Sequence, residues 1–121
     1  IIPKRNACGL TSTVAKTSAG ALERMPVARV TNIGRTIEEL QRQGVWVAAV
    51  DMNGKAYYET EGVMKGAIAL VIGNEGKGIS RLVREKCDLS ISIPMKGSIN
   101  SLNASNAAAI IMYAVRRSRD C

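Results

Sequence analysis

The run Gly73-Asn74-Glu75-Gly76-Lys77-Gly78 places an acid and a base inside a glycine-rich loop. Glycine lets a backbone approach a bound group closely, so these residues suggest a ligand loop. A tight strand-to-helix turn accounts for them as well. The run is not a Walker phosphate loop, because Lys77 precedes Gly78 rather than Ser or Thr and the glycine spacing is too short. The G-x-G-x-x-G order of a dinucleotide fingerprint fails too. A second polar stretch, Pro94-Met95-Lys96-Gly97-Ser98-Ile99-Asn100-Ser101-Leu102-Asn103, leads into an alanine-rich apolar run ending at Val115. Ser101 and Asn103 stand where a helix begins and are good N-cap types; the same groups could position a substrate. Glu75, the one acid in these loops, could satisfy free N–H groups at a helix start or tie the loops together. Lys77, Arg81, Arg84 and Lys96 could hold a nucleic-acid backbone by its phosphates, which positions without reading sequence; each could equally be a solvated charge.

The elements that must carry these loops alternate. Ala67 to Ile72 is an apolar strand ending at the glycine loop, Ser80 to Lys86 a short basic helix, and Leu89 to Ile93 an alternating strand with a polar or partly exposed face. Asn103 to Arg117 is helical and apolar nearly all round, as in a buried or interface helix. Upstream, Thr11 to Ala21 has helical spacing, Val27 to Val30 is a short strand, and Thr36 is the expected N-cap of a helix ended by Gly44. Val45 to Val50 is a continuous apolar run, as in a strand covered on both faces. Asp51-Met52-Asn53-Gly54 reads as a turn, and Tyr57 to Lys65 as an irregular or weakly helical connector. This alternation implies an α/β fold, a mostly parallel sheet with helices on both faces. Both polar loops follow the ends of apolar strands, the edge at which open α/β sheets bind ligands.

Composition narrows the chemistry. The 121 residues allow one domain with a real core, which must be aliphatic because the chain has no Phe. Seventeen Lys and Arg against ten Asp and Glu give a formal charge of +7, compatible with a polyanionic partner or with an ordinary basic surface. The chain has no His, which removes the commonest general base and metal ligand. Cys8, Cys87 and Cys121 lack metal-ligand spacing and are odd in number, which suggests free thiols in a reducing cytosol and no metal. No stretch has the length of a membrane span.

The two loops, in this order and at this separation, closely resemble the second and third signature motifs of the SpoU-type RNA 2′-O-methyltransferases of the SPOUT superfamily. Ser18-Ala19-Gly20-Ala21 followed by Met25-Pro26-Val27 resembles the bacterial ribosomal-RNA guanosine branch. The resemblance covers the whole chain and implies a trefoil-knotted domain, S-adenosylmethionine as methyl donor, and ribose methylation of guanosine in large-subunit ribosomal RNA. Other readings are a transfer-RNA ribose methyltransferase, a non-catalytic RNA-binding module of the same fold, or a nucleotide-binding enzyme using the glycine loop for phosphate.

Carried across by motif, Gly73, Ile93 and Leu102 are the main donor contacts, with Met95 and Leu70 beside them, although Met95 could simply fill the core. The same resemblance makes Glu75, Ser101 and Asn103 the catalytic group and implies a cytoplasmic homodimer paired through the C-terminal helix and knot region. Ala104 and Ala114 depart from it, standing where a larger aliphatic residue and an acid are frequent. In the family a strand, a helix and a first motif, with an Asn and an Arg implicated in catalysis, precede the segment corresponding to Ile1. The expectation is therefore a single SpoU-type domain over residues 1–121, truncated at its N-terminus and inactive without that Arg.

Overall fold

The computed structural model describes residues 1–4, 16, 18–74, 77–96 and 102–120. Two units divide the chain, Ile1–Thr36 and Ile37–Cys121. In the first, β1 (Ile2–Pro3) pairs in parallel with β2 (Arg29–Val30). The helix expected over Thr11 to Ala21 lies mostly outside the described residues. Its described end is a turn, because Ala19 (φ 53) and Gly20 (φ 83) are left-handed, a conformation that stops a right-handed helix. The short helix α1 (Ala21–Arg24) begins after that break.

Helix α2 (Ile33–Arg42) starts one turn earlier than Thr36 would have set it. Asn32 is the cap, its Oδ1 accepting from the Arg35 N–H at 3.0 Å, while Thr36 sits inside the helix and its hydroxyl donates to the Asn32 carbonyl. The far end is as expected. Gly44 takes φ 87, the Gly44 N–H bonds the Gln41 carbonyl, and the Val45 N–H bonds the Leu40 carbonyl. These are the paired bonds of a Schellman cap.

The second unit is built on a three-stranded parallel sheet of order β4-β3-β5, with β3 (Trp46–Ala56) central, β4 (Ile68–Val71) and β5 (Leu89–Ser92). Val47, Ala48 and Ala49 are fully buried, as a central strand with neighbours on both sides requires. Contrary to the expected turn at Asp51–Gly54, the strand continues through these residues. Both Val50 and Lys55 register with Ile91, so residues 51–54 form an excursion rather than a chain reversal. Gly54 is needed there: a Cβ would lie 2.5 Å from the backbone carbon of Ser90. Nor is the β5 polar face exposed throughout, since Ser92 is buried and its hydroxyl donates to the Gly54 carbonyl at 2.9 Å.

The connector is helical in two short pieces, a 3-10 turn (Tyr57–Glu59) and α3 (Glu61–Met64). Helix α4 (Arg81–Lys86) is capped by Ser80, whose hydroxyl accepts from the Val83 N–H. The long helix α5 (Ala104–Asp120) buries Ile111 and Val115 against Ala48, Met64 and Ile91, which makes the core aliphatic. Arg119 fastens α5 to the end of α3 by donating to the carbonyls of Met64 and Gly66. Met112 and Tyr113 are exposed, so α5 is apolar outside as well as in.

Candidate functional site

The three parallel strands of the second unit deliver their following segments to one edge, and a cleft of about 740 Å³ opens there. The middle of β3, at Val50 and the excursion that follows it, supplies Val50 to Asn53. Ile72, Gly73, Asn74 and Lys77 to Ile79 come from the segment after β4. Ser92, Ile93 and Met95 come from the end of β5, and Leu102, Asn103, Ala104 and Ala107 from the start of α5, with Arg84 reaching in from α4. A cleft along this edge of parallel strands, with apolar walls and polar groups in comparable measure, suits a small ligand.

The glycine loop is shaped by contacts that only glycine allows. A Cβ on Gly73 would meet the Gly78 backbone carbon at 2.4 Å and the Ile79 nitrogen at 2.6 Å. Gly78 has φ 68, and its N–H closes the loop on the Asn74 carbonyl at 2.8 Å. Asn103 caps α5, with Oδ1 accepting from the Ser105 N–H at 2.9 Å. Besides Lys77, charge enters as a pair: Arg84 Nε lies 3.2 Å from Asp51 Oδ2, and the Asp51 carboxylate is only 12% exposed.

The cleft brings together Gly73, Ile93, Met95, Leu102, Asn103, Lys77 and Arg84 of the residues singled out by sequence. Leu70 does not join them. It pairs with Ala48, shares its core face and packs on the central cluster, because directly paired residues point to the same side of a sheet. Arg81 is outside the lining and bonds Glu85 one helical turn away, its side chain 88% exposed. Lys96 is exposed and also outside the lining. Glu75 and Ser101 lie outside the described residues, as do Cys8 and Cys121. Sequence reasoning missed Asp51, Met52 and Asn53. The signal was available, since they follow the continuous apolar run Val45 to Val50 just as the glycine loop follows Ala67 to Ile72. Among the described residues no group of three or more His, Cys, Asp or Glu could hold a metal ion, and no helix is long and apolar enough to cross a membrane. Cys87 is a free thiol pushed above its ordinary pKa by burial and then by the neighbouring Asp88 carboxylate.

The model of the SpoU rRNA methylase family matches residues 1–113. The chain belongs to this family. Relatives and solved folds agree with the match. YacO of Bacillus subtilis, assigned to the TrmH family of tRNA/rRNA methyltransferases, is 54% identical over 121 residues, which are 99% of this chain and 48% of YacO. A Staphylococcus haemolyticus protein assigned to the same family is 51% identical over 98% of the chain and 47% of its own length. The SpoU methyltransferase AviRb of Streptomyces viridochromogenes, solved in complex with the cofactor AdoMet, superposes with a TM-score of 0.86 at 30% identity, over 98% of this chain and 49% of AviRb. The A. aeolicus TrmH/SpoU tRNA modifying enzyme gives a TM-score of 0.81 at 27% identity, over 97% of this chain and 57% of that one. This SpoU-family chain thus spans about half the length of the curated relatives it matches.

Proposed function

We propose that the full-length protein containing this chain is a cytoplasmic enzyme that methylates the ribose 2′-hydroxyl of RNA, using S-adenosylmethionine, with guanosine of large-subunit ribosomal RNA as target. One observation carries the reading: four of the five residues assigned by family motif to the donor, Gly73, Ile93, Met95 and Leu102, line one cleft with Asn103, although they come from three segments of the chain, while the fifth, Leu70, lies against the core. The cleft suits such a group. Apolar walls at Ile72, Ile93 and Leu102 can cover a nucleoside, and Gly73 and Gly78 bring their backbone amides and carbonyls near with no side chains of their own.

The bound donor would supply an electrophilic methyl on sulfur. The rest is the work of the chain. Reaction needs the ribose oxygen in line with that methyl, so orientation should be the largest contribution. Asn103, fixed at the start of α5, is assigned with Ser101 to positioning the ribose, and Glu75 to holding the loops together. Lys77 at the cleft, with Lys96 and Arg81 outside it, supplies phosphate contacts. A second copy of the protein pairs through the exposed apolar side of α5, and the trefoil knot forms part of the same proposal.

The relatives' names cover transfer RNA as well as ribosomal RNA, so the test offers both. The full-length protein is incubated with methyl-labelled donor and each RNA, and the RNA is digested to nucleosides. Label in 2′-O-methylguanosine from large-subunit RNA is expected. Label only with transfer RNA would move the substrate, and RNA binding without label on either would favour the non-catalytic module.

A further inference from the structure

We infer that Asp51 and Arg84 form a positioning clamp that fixes the distance between the two loops on either side of the cleft, and thereby its affinity for the methyl donor. The inference rests on the donor reading of that cleft.

The geometry is that of a cross-link between loops. Asp51 Oδ1 accepts from the Asn53 N–H at 3.0 Å and so shapes the excursion within β3. Its Oδ2 faces Arg84 Nε at 3.2 Å. The other arm of Arg84, Nη2, donates to the Ile79 carbonyl at 3.3 Å. Ile79 and Gly78 are the backbone against which Gly73 is packed without room for a Cβ. One guanidinium therefore joins the excursion within β3 to the closing end of the glycine loop, and both segments line the cleft.

The pair differs from the ion pairs along the helices. Arg81–Glu85 and Arg116–Asp120 are i,i+4 contacts with every side chain more than half exposed, the kind worth little. Asp51 is 12% exposed and Arg84 45%, so water screens this contact less. Arginine suits the task because its planar fork can hold two acceptors at once, which a lysine ammonium does with less geometric definition. Its charge already faces a carboxylate. In this inference Arg84 is a positioning residue, in place of the RNA phosphate contact read from the sequence.

The test uses the full-length protein as wild type, Asp51→Asn, Arg84→Gln, Arg84→Lys and the Asp51→Asn/Arg84→Gln double variant. S-adenosylmethionine affinity is measured by calorimetry, ribosomal-RNA affinity by filter binding, and folding by thermal unfolding. Each single variant should raise the donor Kd about tenfold, the scale of a lost charged hydrogen bond, with RNA affinity unchanged. The double variant should be no weaker than the worse single, because both remove one interaction. Arg84→Lys should stay weakened despite its charge. Unchanged donor affinity with lowered thermal stability would reduce the pair to a structural brace and overturn the clamp. So would a joint fall in donor and RNA affinity, or losses that multiply in the double variant. A wild-type protein that binds no S-adenosylmethionine would instead overturn the donor reading itself, and the clamp with it.

Discussion

Replacing Gly73 by alanine tests the cleft where its tolerance is smallest. The new Cβ would sit 2.4 Å from the Gly78 backbone carbon, 2.6 Å from the Ile79 nitrogen and 2.8 Å from the Gly78 oxygen. Ordinary contact begins at 3.4 Å, so the shortfall at the carbon is 3.4 − 2.4 = 1.0 Å. All three obstacles are main chain, and none can swing aside as the end of a flexible side chain would. Relief requires the segment after β4 and the closing end of the loop to separate by roughly 1 Å, and overpacking of this sort costs about 1–3 kcal/mol. Gly62 is an internal control. It lies in α3, and an added Cβ there meets nothing within 4 Å; alanine should be neutral or stabilise by up to about 1 kcal/mol through its helix propensity. Urea unfolding of the full-length protein compares the two, and calorimetry follows donor binding. Gly73→Ala should be less stable than Gly62→Ala and bind S-adenosylmethionine more weakly. Equal stability and unaltered binding would refute the claim that close backbone packing shapes this loop.

Asn103→Ala should lose about 1 kcal/mol as a helix cap is removed, yet cut methyl transfer far more than that loss explains, while Lys65→Ala leaves turnover near normal; initial rates with unfolding curves check the contrast. The Cys87 thiol, raised by burial and by Asp88, should reach half-maximal alkylation at a higher pH in the folded protein than in urea. Its neutral form is the one the fold favours, so its contribution to stability is whole below the ordinary thiol pKa and is lost as pH rises through the folded value. Stopped alkylation followed by mass spectrometry reads the shift.

Much of the frame was legible because its causes are local. Val45 to Val50 is apolar without interruption, and Val47, Ala48 and Ala49 within it became the fully buried part of the central strand, while Trp46 is exposed. Gly44 and Ser80 ended and began helices where their backbone and side-chain chemistry requires. The glycine loop stood out because its residue types have few other uses. What failed to show depended on partners distant in sequence. Asn32 and Thr36 are both capping types, and the Arg35 N–H decides for Asn32. Asp51 to Gly54 has turn composition, but pairing with β5 resumes at Lys55 and makes it a bulged strand. Leu70 is as apolar as Ile72, and only the register opposite Ala48 assigns it to the core. The pairing of Asp51 with Arg84 brings together two residues that sequence order keeps apart, and no spacing rule reaches them.

The central claim is that the cleft lined by the excursion in β3 and the segments after β4 and β5 holds a methyl donor. Titration calorimetry of the full-length protein with S-adenosylmethionine, its demethylated product and ATP tests it most directly. The account expects both adenosyl sulfur compounds to bind at one site per chain, ATP not to compete, and Leu102→Glu to abolish binding while the protein stays folded. Binding of ATP with neither methyl-donor species, or unchanged donor affinity in the folded Leu102→Glu variant, would contradict it.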